Sequence, residues 1–277
     1  MISQERRAKE FRKMHSGRHI LLLPNAWDVP SARVFEDEGF RAVATSSAGM
    51  MASLGYPDGE DISMDDFTAA IRRIAAALSV PLSADIVGGF GSTPHEVKRT
   101  VLAVLRTGAI GVNLEDFRHG TGKLVSLEKQ LERLEAVREA GDSSGIPVVI
   151  NARTDALRFA SGGREEKLKE AIRRSRAYRD WGADCVYPMG LSDSGEIERF
   201  VSALEFTTNV MVRKGLPHVS ELERLGVARL SFGPAASYAA MGLLKRASRE
   251  VIDEGTYSKL TDGAITFDEL NRLAVRK

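Results

Sequence analysis

Short apolar runs alternate with longer amphipathic stretches along the chain. The runs are apolar at nearly every position instead of alternating with polar residues, which is typical of parallel strands buried on both faces. There are eight: Ile20–Pro24, Ala42–Ser46, Pro81–Asp85, Ile110–Glu115, Pro147–Asn151, Cys185–Pro188, Asn209–Val212 and Arg229–Gly233. The pattern therefore predicts eight parallel strands separated by helices.

Helix starts and ends are marked between these runs. Ser63, Thr93 and Ser126 each stand where a side-chain oxygen can accept a hydrogen bond from the first turn of a helix. Glycine, which adopts the left-handed conformation common just after a helix, supplies the expected ends. These are Gly39, Gly108, Gly141, Gly182 and Gly226.

Eight strand–helix units in about 250 residues predict a (β/α)8 TIM-type barrel, with an open doubly wound sheet as the alternative. We expect one domain over residues 1–277, in which residues 251–277 form a C-terminal helical extension. Thr266 and Glu269 have capping-box spacing and predict a last short helix there. Its apolar face must cover either its own barrel or a neighbouring subunit, and the second arrangement implies an oligomer.

Composition narrows the possible functions. The 39 Lys and Arg residues nearly balance the 38 Asp and Glu residues, which argues against a general nucleic-acid or membrane-surface binder. The single cysteine, Cys185, excludes an internal disulfide framework and a cysteine-cluster metal site. No apolar run approaches the roughly 20 residues of a membrane span, and the charged start of the chain shows no secretory signal. We therefore expect a cytoplasmic protein.

Polar residues gather where the first five predicted strands end. In a TIM barrel the reacting groups stand at these carboxyl ends, so we expect them to share one mouth. Carboxylates and one arginine together are suited to Mg²⁺ or Mn²⁺ and to an anionic substrate. The candidates are Asn25, Asp28, 45–49, Asp85, 113–116 and 151–155.

Several of these residues also have a purely structural interpretation. Asp28 stands where it could cap the next helix, and Asp155 could pair with Arg153. Glu115 and Asp116 are adjacent on a strand end, so only one of them can point into the barrel. Cys185 lies within an apolar strand, which favours a buried small side chain over a nucleophile.

Five segments together resemble the isocitrate lyase/phosphoenolpyruvate mutase superfamily, most closely its small bacterial phosphonomutase-like branch. The resemblance extends from about Leu21 to Gly233, in order and with barrel spacing. As a set the segments are specific, whereas each alone would be weak. They are Leu23-Pro-Asn-Ala-Trp-Asp28, Ala44-Thr-Ser-Ser-Ala48, Leu54-Gly-Tyr-Pro-Asp58, Asn113-Leu-Glu-Asp116 and Asn151-Ala-Arg-Thr-Asp155.

The resemblance implies an enzyme that binds Mg²⁺ and a 2-oxo acid or its enolate and makes or breaks a bond at carbon 3. It implies that Asp85 is the nearest metal ligand and that Asp58 and Glu115 hold the metal's water molecules. The implied substrate-binding groups are Ser46, the backbone N–H groups of Ser47 and Ala48, Asn113 and Arg153. It also implies a homo-oligomer, usually a tetramer with an exchanged terminal helix.

Two departures from the family pattern bear on the reaction. Val87 stands where relatives commonly carry a second acid. We therefore expect weaker metal binding or a different set of metal-bound water molecules. The loop Phe117–Val125 has no cysteine where the lyase branch carries one, which argues against isocitrate or methylisocitrate cleavage of the usual kind. Arg118, His119 and Lys123 are its candidates for an acid, a base or an anion clamp.

These observations favour a Mg²⁺-dependent carbon–carbon lyase or decarboxylase acting on a small 2-oxo or 2-hydroxy dicarboxylate through a pyruvate-like enolate. Arg153, Ser46, His119 and Arg118 are the predicted catalytic residues. One alternative is carbon–phosphorus chemistry of the phosphoenolpyruvate mutase or phosphonopyruvate hydrolase type. Another is a catalytically weakened, carboxylate-binding barrel. A Schiff-base aldolase would need Lys214, which follows the seventh run.

Overall fold

The computed structural model describes residues 3–17 and 19–274. The predicted strands are all present, the first of them divided at Pro24. In chain order the strands are β1 Leu21–Leu23, β2 Asn25–Ala26, β3 Val43–Thr45, β4 Leu82–Asp85, β5 Gly111–Glu115, β6 Phe117–Arg118, β7 Lys123–Leu124, β8 Val149–Thr154, β9 Cys185–Pro188, β10 Asn209–Met211 and β11 Arg229–Ser231.

The sheet closes on itself as the (β/α)8 barrel requires. One parallel sheet has the order β2-β3-β4-β5-β8-β9, and a second has the order β1-β11-β10. A parallel bridge between Val186 and Thr208 joins the two sheets at one seam, and the continuous chain from β1 to β2 joins them at the other. The short antiparallel hairpin of β6 and β7 lies outside the barrel wall.

Helices occupy the intervals between the strands. They are α1 Gln4–Met14, α2 Val29–Asp37, α3 Ser47–Ser53, α4 Met64–Ala77, α5 Pro94–Leu105, α6 Leu127–Ser144, α7 Ala156–Phe159, α8 Arg164–Asp180, α9 Ser194–Leu204, α10 Val219–Arg224, α11 Ala235–Glu254, α12 Ser258–Thr261 and α13 Phe267–Ala274. The predicted caps Ser63, Thr93 and Ser126 each accept a backbone N–H of the first turn. Asp28 caps α2 in the same way, with Ser31 completing a capping box.

The predicted helix end at Gly141 is wrong. Helix α6 continues to Ser144 and ends at Gly145, which has φ +70°. Gly141 is needed for a different reason, since a Cβ there would lie 2.7 Å from Val148 Cγ1 and 2.8 Å from the Ile146 carbonyl oxygen. Close packing of the helix on the following strand, and not a left-handed turn, explains this glycine.

Helix α1 closes the amino end of the barrel. Its buried Ala8 and Phe11 pack with Leu21, Leu23 and other inward-facing side chains of the strands. A larger apolar cluster fills the space between the strands and the surrounding helices. Because the amino end is filled in this way, the polar interior of the barrel faces its carboxyl end.

The C-terminal helices extend beyond the eighth strand–helix unit. Helix α13 packs on α2, where Arg33 Nε donates to the Leu273 carbonyl at 2.8 Å and Arg272 pairs with Asp37. Many large apolar side chains of this region stay exposed, including Ile252 at 81% and Phe267 at 79%. Within the described residues, no helix is long and apolar enough to cross a membrane.

Candidate active site

A cavity of about 350 Å³ opens at the carboxyl ends of the barrel strands. It brings together most of the residues that the sequence singles out, although they come from six different segments. The predicted site residues among those lining it are Ser46, Ser47, Ala48, Asp58, Asp85, Asn113, His119 and Arg153. The predicted mouth of the barrel is therefore also the place where these side chains meet.

Asp85, at the end of β4, is held by groups from three neighbouring segments. Its Oδ2 accepts the backbone N–H of Ser47 at 3.2 Å, and its Oδ1 accepts Asn113 Nδ2 at 2.9 Å. Asn151 Nδ2 donates in turn to Asn113 Oδ1 at 2.8 Å. The Asp85 backbone N–H donates to Thr45 Oγ1 at 2.9 Å. These bonds fix the carboxylate in one orientation.

Asp58 is brought to the same wall of the cavity by the segment between α3 and α4. Burial and the charge of Asp85 raise the pKa of Asp58, whereas a hydrogen bond with Ser47 lowers it. Two carboxylates that repel each other on one cavity wall are stabilised by a shared divalent cation.

We tested whether the side chains suit the Mg²⁺ that the family implies. Among residues 3–17 and 19–274, no three His, Cys, Asp or Glu side chains form a ready-made ligand set. Asp85 and Asp58 nevertheless offer hard oxygen ligands, and Mg²⁺ is commonly held by one or two carboxylates with water completing its shell. The donor chemistry therefore fits Mg²⁺ or Mn²⁺.

Arg153 lies at the centre of a buried ion-pair network. Its Nη1 is 2.7 Å from Glu115 Oε2, and its Nε is 2.7 Å from Asp155 Oδ2. Glu115 lies behind the cavity wall, where its Oε1 is 2.6 Å from His119 Nε2. Glu115 therefore contacts two lining residues, Arg153 and His119, and does not itself line the cavity in the described structure.

The network sets the charge of its members. The two carboxylates raise the pKa of Arg153 well above its ordinary value, although burial opposes them. The hydrogen bond to Glu115 raises the pKa of His119, so the imidazolium form is favoured beside the cavity. Burial raises the pKa of Glu115 against the effect of Arg153. The wall thus presents the permanently charged guanidinium of Arg153 and the protonated imidazole of His119.

Three of the sequence-derived candidates, Arg118, Lys123 and Lys214, lie outside the lining of the cavity among the described residues. Arg118 alternates with Phe117 and His119, so it faces the other side of the hairpin and lies outside the lining set of the described residues. Its predicted catalytic role has no geometric support for that reason. Lys214, the Schiff-base candidate, is exposed and is also outside that set. Cys185 is buried in β9, where burial raises the pKa of its thiol to about 12.

Val87, which stands where the family resemblance implies a second acid, belongs to the apolar cluster outside the strands and is 1% exposed. Its φ of +53° is an uncommon conformation for a β-branched residue. The backbone N–H of Val87 points towards Asp85 Oδ1 at 3.4 Å, and its carbonyl accepts the N–H of Glu115 at 3.0 Å. The residue thus contributes to the site through its backbone.

Apart from Tyr187, which the sequence suggests as a specificity residue, the side chains of the opposite cavity wall were not singled out from the sequence. Tyr187 O–H lies 2.9 Å from Met189 Sδ and 3.1 Å from Met211 Sδ. Arg158, Phe159 and Arg229 also line the cavity. Met211 and Arg229 lie within the predicted strands, and inward-facing positions of those strands were the signal that could have identified them.

The sequence matches the family described as phosphoenolpyruvate phosphomutase over residues 11–252. It is 31% identical to 2-methylisocitrate lyase of Escherichia coli over 95% of this chain and 90% of that protein. It is 30% identical to 2,3-dimethylmalate lyase of Eubacterium barkeri over 96% and 93% of the two chains.

Solved structures that superimpose on this chain are enzymes of the same kind as these relatives. Oxaloacetate acetylhydrolase in complex with its product oxalate superimposes with a TM-score of 0.84, 28% identity, and coverage of 96% of this chain and 93% of that chain. Another neighbour, 2,3-dimethylmalate lyase, is described as a member of the PEP mutase/isocitrate lyase superfamily. The chain therefore belongs to the phosphoenolpyruvate phosphomutase family of that superfamily and is an enzyme of this type.

Proposed function

We propose that the enzyme is a divalent-metal-dependent lyase or decarboxylase that cleaves a carbon–carbon bond of a small 2-oxo or 2-hydroxy dicarboxylate through a pyruvate-like enolate. The observation that carries this proposal is the convergence of Asp58 and Asp85 on one side of the cavity and Arg153 on the other. A carboxylate pair suits a cation, and a guanidinium suits the charge of an enolate.

The bound metal would supply electrostatic stabilisation of negative charge as the bond breaks. Arg153 would bind the substrate carboxylate or the enolate oxygen, because its charge is fixed and its geometry is held by Glu115 and Asp155. The electron pair of the broken bond would enter the enolate, and the other fragment would leave as a carbonyl compound or carbon dioxide.

His119 is the group best placed to move a proton. It lines the cavity, and its hydrogen bond to Glu115 favours the imidazolium form. We propose that His119, as the imidazolium, gives a proton to the enolate carbon after the bond has broken. Ser46 and the N–H of Ala48 would contact the substrate carboxylate. Asn113 would hold Asp85 and approach the substrate from β5.

Oxalate, a planar mimic of the enolate of pyruvate, is the probe for the first experiment. A relative of known structure binds oxalate as its product, which supports this choice. Calorimetric titration should show oxalate binding that requires Mg²⁺, and Asp85→Asn should abolish that requirement together with most of the affinity. Undiminished, metal-independent binding by Asp85→Asn would overturn the proposal.

Substrate panels then separate the two reaction classes. Release of a carbonyl fragment or carbon dioxide from 2-oxo or 2-hydroxy dicarboxylates supports carbon–carbon cleavage, whereas release of phosphate from phosphonopyruvate supports carbon–phosphorus chemistry. A barrel that binds oxalate but turns over neither class would fit a carboxylate sensor.

We also propose that the enzyme is a cytoplasmic homo-oligomer. The exposed apolar side chains of α11 and the following segment include Met241, Leu244, Ile252 and Phe267. An apolar surface of this kind on an enzyme is typical of a subunit interface. Light scattering should give the mass of a dimer or tetramer, and a monomer at micromolar concentration would contradict this proposal.

A further inference from the structure

A buried arginine on α6 lies behind the segment that follows Asp85. Arg133 is 2% exposed, and its Nη1 donates to Gln130 Oε1 at 2.6 Å. Its Nη2 donates to the Gly88 carbonyl, and its Nε is buried without a partner among the described residues. A buried guanidinium bonded to neutral acceptors costs more free energy than an apolar side chain of similar volume. Packing alone therefore does not explain an arginine at this position.

The Gly88 carbonyl is one end of a chain of hydrogen-bonded peptide groups that leads to Asp85. The same peptide group carries the N–H of Gly89, which donates to the Ile86 carbonyl at 2.8 Å. The peptide group of the Ile86 carbonyl carries the N–H of Val87, which points to Asp85 Oδ1 at 3.4 Å. Two peptide groups thus connect a buried positive charge with the carboxylate at the end of β4.

The turn that contains these peptide groups has an unfavourable backbone conformation. Val87 has φ +53°, which β-branched residues rarely adopt. Its carbonyl accepts the N–H of Glu115 at 3.0 Å, and the next carbonyl, that of Gly88, accepts Arg133 Nη2. These two bonds on adjacent carbonyls oppose relaxation of the turn. They therefore keep the Val87 N–H directed at Asp85.

We propose that Arg133 is a positioning residue of the metal site, which acts through the peptide groups of Gly89 and Val87 to orient the Asp85 carboxylate and stabilise its negative charge. Hydrogen bonds in a chain polarise one another, so the guanidinium acts on a carboxylate that it does not contact. The inference rests on the proposed function, which assigns Asp85 to the divalent cation. The backbone of this segment supports Asp85 although residue 87 offers no acidic side chain.

Mn²⁺ binding, followed by electron paramagnetic resonance, measures this site without substrate or turnover. In Arg133→Met we expect Mn²⁺ affinity to fall roughly ten- to hundredfold, as is typical when a group that supports a metal ligand is removed. Arg133→Lys keeps a charged donor for the Gly88 carbonyl and should recover part of this affinity. A role in packing alone would be served by methionine as well as by lysine, so recovery by lysine separates the two roles.

Arg138→Met is the matched control. Arg138 lies on the same helix and donates to backbone carbonyls at the closed end of the barrel, those of Val148 and Gly182, each at 2.7 Å. Whatever its effect on stability, this variant should keep Mn²⁺ affinity within about twofold. Unchanged affinity in Arg133→Met overturns the inference, as does an equal loss in Arg138→Met. If the unaltered enzyme binds no Mn²⁺, the proposed function fails and the inference with it.

If Arg133→Met does not fold, nuclear magnetic resonance of the unaltered protein decides. Mg²⁺ on Asp85 makes the carboxylate a poorer acceptor, so the amide protons of Val87 and Gly89 should both shift upfield when Mg²⁺ is added. The Phe90 amide donates outside the chain and is the internal control, for which we expect a smaller shift. A shift of Val87 without a shift of Gly89 would show that the chain does not reach Arg133, and it would overturn the inference.

Discussion

Glu115 and Asp116 are neighbours at the end of β5, yet they belong to two different regions of the molecule. Glu115 points towards the inside of the barrel, where it contacts Arg153 and His119. Asp116 points between the strands and the helices, where its carboxylate accepts bonds from Tyr178 O–H at 2.7 Å and Arg174 Nη1 at 3.0 Å. Both carboxylates are buried, so burial alone does not separate their roles.

The two carboxylates differ in whether their hydrogen-bond partners also line the cavity. Thr154 Oγ1 and the backbone N–H of Asp155 also donate to Asp116, so its two oxygens accept four hydrogen bonds from groups that have no access to the cavity. Glu115 instead holds two side chains whose other faces line the cavity. We call the hydrogen bonds around Asp116 the closed network and the ion pairs around Glu115 the open network. The closed network stabilises the fold, whereas the open network leaves charged groups available to a ligand.

The largest effect should come from breaking the closed network. Asp116→Asn places an amide group among four donors and leaves the buried Arg174 without this carboxylate. We expect the free energy of unfolding to fall by about 3 kcal/mol, measured by urea denaturation. Oxalate affinity of the folded protein should stay unchanged. Asp180→Asn, an exposed position on the same helix as Arg174, is the control and should change stability little. Equal stability of the two variants would contradict the comparison.

His15 is a third buried titratable group and differs from Glu115 and Asp116, because burial there favours the neutral form of the side chain. Burial and the charge of Arg229 lower the pKa of His15 to about 4. The folded state therefore binds fewer protons than the unfolded state below pH 6.5, and stability falls as the pH decreases from 6.5 towards 4. A shift of this size corresponds to about 3 kcal/mol.

The measurement is the free energy of unfolding against pH for the unaltered protein and for His15→Leu. The variant should lose this part of the pH dependence and keep the part that comes from carboxylates. A His95→Gln variant, altered at an exposed histidine, serves as the control. Parallel curves for all three proteins would show that folding does not change the pKa of His15 and would contradict this prediction.

Breaking the open network should affect binding more than folding. Arg153→Lys keeps a positive charge near Glu115 and Asp155 but loses the bidentate hydrogen bonding of the guanidinium. We expect Mg²⁺-dependent oxalate affinity to fall by about a hundredfold, with a loss of stability smaller than that of Asp116→Asn. An unchanged oxalate affinity would mean that Arg153 only supports the wall.

The smallest effect is expected from Tyr178→Phe, which removes one of the four bonds to Asp116 and no charge. The free energy of unfolding should fall by about 1 kcal/mol. A double-mutant cycle with Asp116→Asn should show strong coupling, because the two residues share one hydrogen bond. Simple additivity would indicate that this bond contributes nothing to the stability of the network.

The barrel was predictable because its strands are buried on both faces and therefore appear as continuous apolar runs. The caps Ser63, Thr93 and Ser126 were predictable because capping is a local interaction. Gly141 was not, since its role depends on contact with Ile146 and Val148, and packing against the next strand leaves no local pattern.

The site was predictable where polar residues follow a strand, as Asp85, Asn113 and Arg153 do. The sequence could state that only one of Glu115 and Asp116 faces inward but could not state which. It also placed both Arg118 and His119 in the catalytic set, and the alternation of side chains in the β6–β7 hairpin puts His119 at the cavity and Arg118 on the other side. Direction within a hairpin depends on its register, which a single sequence specifies poorly.

Helix α1 fills the amino end of the barrel with Ala8 and Phe11. In the described structure the cavity consequently opens at the carboxyl end of the barrel, so substrate and products pass through the same opening. In the proposed cleavage, the fragment lying nearer the opening would depart first, and the deeper fragment, on the Asp85 side of the cavity, would depart second. Product inhibition by the deeper fragment should therefore be competitive with substrate, and inhibition by the outer fragment should not be.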